Sequence, residues 1–206
     1  YTHGHPRALL GAMCYAFALH SMLNQKEILK YGDLVNKVLE GEDLWGTFHE
    51  VTNTNEWISS SNKFLGKDYL KIWEDVRKEI MENLITIKES LSKGALSMTH
   101  KTLDKVGVFD KNKNGAGDVA AIAAIYLASK YASSPAIGLK EAAFLKNADT
   151  DTIASMTGAL LGIINGEDWI LAEWTTVQDI ELLKKLPLFL LGEEHSQVSP
   201  LNEISK

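Results

Sequence analysis

One cysteine, Cys14, stands in 206 residues. No intrachain disulfide framework can therefore staple the fold, and a lone cysteine inside an apolar run reads as a buried structural thiol in a reducing, cytoplasmic setting. Positive charge is also short. Lys and Arg number 21 against 27 Asp and Glu, for a net charge of −6 and a pI near 5.5. That balance argues against a general nucleic-acid or anionic-membrane partner, while leaving room for a local basic patch facing a phosphate. The apolar run 8–23 is shorter than a membrane span and is interrupted at its ends by Arg7 and His20, and no signal-peptide pattern precedes it. His and Cys do not recur at zinc spacing, which argues against a zinc centre. No stretch alternates apolar and polar residues over strand length, and neither an internal repeat nor a low-complexity linker is present.

What is there is helical. The apolar share of 45% and charged share of 23% are those of an ordinary globular chain, long enough to bury a sizeable core as one domain over 1–206. Pro6 suits a first helical turn, and 7–23 is apolar almost all round, as in a central buried helix. A second helix is predicted over 26–40, with Leu29, Val35, Val38 and Leu39 on one face and Gly41 ending it. Residues 42–66 read as irregular, with one or two short helical turns among scattered aromatics. Over 67–93, Tyr69, Trp73, Val76, Ile80, Leu84, Ile87 and Leu91 fall three or four apart and predict a long amphipathic helix. A loop over 94–118, a small-residue helix over 119–131 and a short helix over 139–146 follow. A helix over 177–185 and a fraying tail, 186–206, close the chain. The expectation is an all-α, compact orthogonal bundle, its alanine- and glycine-rich helices packed at the centre because small residues let backbones approach.

The most informative stretch is Asp149-Thr150-Asp151-Thr152, placed at a loop-to-helix junction ahead of small residues at Ala154, Gly158 and Gly162. Asp and Thr are good helix N-caps, and a first-turn Asp complements the helix dipole. The same residue types also suit a hard divalent cation, which prefers carboxylate and hydroxyl oxygens. Asp149, Asp151 and Thr152 could supply three such oxygens.

The run DTDTIASMTGALLGIING, 149–166, resembles the signature of the ADP-ribosylglycohydrolase family, and THGHP at 2–6 resembles a second stretch of that family. The resemblance covers roughly Thr2 to Trp174. It implies an all-α hydrolase that removes ADP-ribose from a modified acceptor with two Mg²⁺ or Mn²⁺ ions. Asp149, Asp151 and Thr152 are then metal ligands, with Asp149 and Asp151 also placed as catalytic carboxylates. Residues Gly115 and Gly117 of a Gly-x-Gly loop are ligand contacts in this reading, their backbone N–H groups approaching a diphosphate. His3 and His5 could line a pocket or hydrogen-bond a phosphate; alternatively, His5 or Thr2 simply caps the helix that Pro6 begins. The expected partner is an ADP-ribose-bearing substrate.

Two departures stand out. Asn147-Ala148 replaces the glycine pair before the first Asp, and the family's opening Thr-Asp-Asp cluster occurs nowhere in the chain. Since the chain opens on Tyr1, the expectation is a C-terminal portion lacking the family's N-terminal helices. It would supply half of a dinuclear site that a complementary N-terminal chain or segment completes. Residues 110–118 resemble half of a calcium loop, but Ala121 stands where a bidentate Glu is needed, so a glycine turn with Asp118 as N-cap is the better account. Trp45 and Trp57 could stack on an adenine, but small satellite packing clusters are the commoner account, and neither is placed in the site. Besides the hydrolase, a catalytically silent relative that binds an ADP-ribose-like ligand or a protein, and a helical interaction protein with a capped helix at Asp149, remain open.

Overall fold

The seven apolar residues of the 67–93 pattern are all buried along one helix, Tyr69–Ser92. The computed structural model describes residues 3–25, 29–49, 54–94 and 98–192. Among these the chain is all helix, in the order α1 (Pro6–Leu23), α2 (Asp33–Glu40), α3 (Glu42–Trp45), α4 (Thr54–Leu65), α5 (Tyr69–Ser92), α6 (Thr99–Lys105), α7 (Gly117–Lys130), α8 (Pro135–Ala143), α9 (Thr150–Asn165), a 3₁₀ turn (Ala172–Thr176) and α10 (Ile180–Leu190). It divides into two compact units, Tyr1–Trp169 and Ile170–Lys206. The single-domain expectation made no such division. No described helix is long and apolar enough to cross a membrane.

The first unit is built around α7. Every residue from Asp118 to Ser129 is buried, so α7 is covered on all sides, chiefly by α1 and α9. Its alanines permit that approach, and Gly11 of α1 makes it possible at the tightest point. A Cβ at Gly11 would lie 2.5 Å from the Asp118 backbone nitrogen and 2.6 Å from the Gly117 carbonyl carbon. Backbone cannot swing aside as a side chain can, so Gly11→Ala should destabilise the fold by about 1–3 kcal/mol. Urea unfolding reads this directly, and an unchanged midpoint would show that α1 and α7 can separate freely. Tyr15 joins α1 to α9 through a 2.8 Å hydrogen bond from its hydroxyl to the Met156 carbonyl, and burial pushes its pKa up to about 12. Cys14 is buried in the same core, where burial raises its thiol pKa. That leaves it the inert thiol read from sequence.

Five expectations need correcting, the first being the helix over 139–146, which is α8 at Pro135–Ala143, opened by Pro135 in its first turn. α2 begins at Asp33, not near residue 26, because Gly32 takes a left-handed φ of 83° and the Asp33 carboxylate accepts from the Lys30 amide at 2.7 Å. Residues 26–28 lie outside the described set. Within the stretch 42–66, expected to be irregular, residues 50–53 lie outside the described set and most of the rest is helical, in α3 and the twelve-residue α4. α4 buries only Thr54, so it has no core stripe for periodicity to reveal. The loop 94–118 contains α6, whose seven residues are too few for a periodic signal. In the second unit, α10 continues to Leu190 through Pro187, past the predicted end at 185, so the start of the expected tail is helical. Residues 193–206 lie outside the described set.

Candidate active site

The Asp149 motif opens α9 as read from sequence. The preceding Asn147 has φ 68°, a left-handed conformation that glycine adopts freely and asparagine tolerates better than most residues. A glycine at this position, as in the resembled signature, would adopt the same conformation freely. Asp149 is the N-cap residue, and its carbonyl receives the Ile153 amide at 3.0 Å. Its carboxylate lies close enough to the Thr152 amide and hydroxyl for both to favour its ionised form, yet no capping bond of good geometry forms.

Asp149 is half-buried, while Asp151 and Thr152 face solvent. The two carboxylates meet. Hydrogen bonding with Asp151, helped by partial burial, pushes the Asp149 carboxyl above its usual value, and the same bond, with N–H groups of the helix start, draws Asp151 below. Two carboxylates and a hydroxyl gathered at the positive end of a buried-faced helix form a hard-oxygen donor set open on one side. Among the described residues, no group of three or more His, Cys, Asp or Glu is placed to hold a metal ion. The turn fits part of a divalent-cation shell.

The glycine loop lies beside it. Asn114 donates from Nδ2 to the Asn147 carbonyl at 3.2 Å, so two segments read separately in the sequence are bonded ahead of adjacent helices. Within the loop, the Asp110 carboxylate accepts from the Asn112 amide at 2.9 Å and its carbonyl from the Lys113 and Asn114 amides at 2.8 Å each. Asp110 is thus spent on a tight turn, in keeping with the glycine-turn account. Gly115 and Gly117 are both exposed, and Gly117 is the first residue of α7.

Asp118 is not the N-cap. Ala116 takes that position, and Asp118 turns inward, 1% exposed. The cause is Arg7, a residue that the spacing of charges did not single out. Its Nη1 donates to Asp118 Oδ2 at 2.6 Å and its Nη2 to the Glu79 carboxylate of α5, which also receives Lys113 Nζ at 2.7 Å. One carboxylate on α5 thus grips both the first turn of α1 and the glycine loop. Glu79 looked like one more charge on a solvated helix face, because its partners are distant in sequence. His5 caps α1, its Nδ1 accepting from the Arg7 amide at 3.2 Å. His3 is exposed just before it.

Partial burial alone raises the Glu79 pKa, but hydrogen bonds and charges from Arg7 and Lys113 outweigh it and hold the carboxyl below its usual value. A depressed folded-state pKa contributes stability above the unfolded value and loses it as pH falls through the folded one. The stability difference between the wild type and Glu79→Gln should therefore be at most about 1 kcal/mol at neutral pH, given the exposure of the site, and should vanish in acid. Parallel denaturation curves at several pH values check it, and a gap that widens in acid would reverse the sign.

The arrangement defines an all-α protein whose buried central helices present a carboxylate–hydroxyl turn and a glycine loop side by side. The chain belongs to the ADP-ribosylglycohydrolase family, whose profile matches residues 1–198. No curated protein and no solved structure matches it. Family membership supports a glycohydrolase of ADP-ribosylated substrates.

Proposed function

We propose that this chain contributes one half of a dinuclear Mg²⁺ or Mn²⁺ centre to a hydrolase that cleaves the glycosidic bond of ADP-ribose on a modified acceptor. The supporting observation is the Asn114–Asn147 bond, which sets the glycine loop against the Asp149 turn. Asp149, Asp151 and Thr152 would hold the cation, and Gly115 and Gly117 offer exposed loop backbone for a diphosphate. A cation there would grip ribose hydroxyls and lower the barrier to activating water. The chain's own carboxylates orient it, and one of them carries a proton during attack at the anomeric carbon, where oxocarbenium character develops. The remaining ligands would be supplied by a complementary chain or segment, since no Thr-Asp-Asp cluster occurs in this sequence. A single buried, unreactive thiol fits a reducing compartment such as the cytoplasm.

The absence of a three-ligand cluster among the described residues favours a second reading, a silent relative that binds an ADP-ribose-like ligand or a protein partner. Release of ADP-ribose from modified arginine and serine peptides separates them. The hydrolase reading requires release by the complete protein, stimulated by Mg²⁺ or Mn²⁺ and abolished by a chelator. Binding of ADP-ribose without release under every metal condition would leave the binder.

A further inference from the structure

The chain enters α9 differently from two other helices with acid or imidazole caps. His5 and Asp68, the N-cap residues of α1 and α5, stand at ψ 137° and 115°, and each side chain accepts from an amide of its own helix. Asp149 stands at ψ 74° and its side chain makes no such bond. The backbone ahead of it is bent to match. The Ala148 amide donates to the Leu145 carbonyl at 3.1 Å, closing a tight turn whose third residue, Asn147, has φ 68°. Positive φ at that position is the mark of a type II turn. Leu145 roots the turn in the core at 7% exposure, while Asn147 is exposed. Asparagine tolerates the left-handed region but does not enforce it, so what holds Asn147 there matters. Its carbonyl accepts from Asn114 Nδ2 at 3.2 Å. Asn114 is fixed in turn. Its amide and that of Lys113 both donate to the Asp110 carbonyl at 2.8 Å, and Lys113 Nζ donates to Glu79 Oε1 at 2.7 Å. A chain of contacts therefore runs from α5 through Lys113 and Asn114 to the residue two before Asp149.

We propose that Asn114 is a positioning residue for the cation turn. Its bond to the Asn147 carbonyl holds the backbone so that the Asp149 carboxylate stays off the cap of α9 and beside Asp151, and Lys113, gripped by Glu79, keeps Asn114 in place. The inference rests on the reading of Asp149, Asp151 and Thr152 as cation ligands, and neither Asn114 nor Lys113 is a ligand in it. Partners that orient a ligand without touching the metal are worth about 10–100-fold in metal affinity. Lys113 gives the inference its sign. Removing a positive charge near a cation site tightens metal binding by Coulomb's law alone, whereas removing an anchor of the turn loosens it.

Mn²⁺ titration of the complete protein, followed by electron paramagnetic resonance, tests this without any assay of activity. Asn114→Ala should weaken Mn²⁺ by about tenfold, and Asn114→Gln, which keeps an amide donor, should recover part of the loss. Lys113→Met should also weaken Mn²⁺, by a smaller factor. Combined with Asn114→Ala it should cost nothing more, because both act through one bond and their effects cannot add. The melting temperature should fall by no more than about 3 °C in each single variant, as suits one partly exposed contact. Asp149→Ala and Asp151→Ala serve as references. If they lose Mn²⁺ while Asn114→Ala keeps it, this inference is overturned and the metal reading stands. Unchanged affinity in both Asp variants removes the metal reading and this one with it. Tighter Mn²⁺ binding by Lys113→Met, additive losses in the double variant, or a larger fall in melting temperature would also overturn the positioning role.

Discussion

Asp149→Ala and Asp151→Ala should each weaken Mn²⁺ binding by the complete protein at least about 100-fold, with little change in thermal stability. Loss of a supporting group around a metal ligand already costs about 10–100-fold, and a direct carboxylate ligand counts for at least as much. The stability side follows from local geometry. Asp149 makes no well-formed capping bond, and Asp151 faces solvent beside a carboxylate that repels it. Removing either should relieve repulsion about as much as it weakens the cap. Thr152→Val, which keeps the shape and removes the hydroxyl, should have a smaller effect on Mn²⁺. Manganese titration followed by electron paramagnetic resonance, beside a melting curve for each variant, gives both numbers. Unchanged Mn²⁺ affinity in both Asp variants would remove the metal reading, and a large loss of stability would return the motif to a helix cap.

The second large effect lies at Arg7. Arg7→Met should destabilise the fold by about 3 kcal/mol, because it leaves the Asp118 carboxylate, 1% exposed, without its cation. Asp118 Oδ1 has no hydrogen-bond partner among the described residues, so Arg7 carries the neutralisation through Oδ2. Replacing both partners, as Arg7→Met with Asp118→Leu, should recover most of the loss, because an apolar pair needs no compensating charge. Chemical denaturation of the single and double variants measures the coupling. A loss below about 1 kcal/mol in Arg7→Met would mean that water or another group satisfies Asp118. The same substitution frees Glu79 to hold Lys113 alone, so the glycine loop should keep its anchor to α5 while α1 loses its own.

How much of this was legible beforehand depended on whether the signal was local. The α5 stripe and the alanine-rich α7 extend over many residues, and the burial they imply was found. In contrast, α1, read as apolar almost all round, buries one stripe through Leu10, Cys14, Ala18 and Met22 and leaves Leu23 exposed. α4 and α6 were not legible, because α4 buries almost nothing and α6 is too short for a period to show. The start of α2 was misplaced because the periodicity of its apolar residues says nothing about the left-handed turn at Gly32. At the candidate site, Asp149, Asp151 and Thr152 could be singled out because chemistry-bearing residues lie within four positions. Arg7, Glu79, Lys113 and Asn114 were not, because what matters about each is a partner on another helix or loop.

By itself, then, the sequence determined the helical class, the long core stripe, the inert thiol and the carboxylate turn at the head of α9, all of which follow from neighbours along the chain. Tertiary structure alone decided that Asp118 turns inward to Arg7 rather than capping α7, that Asn114 ties the glycine loop to the Asp149 turn, and that Glu79 holds Lys113 of that loop. Each depends on which distant groups share a desolvated or partly covered space. The strength of a charge pair or a hydrogen bond is set by that space, and spacing along the chain does not encode it.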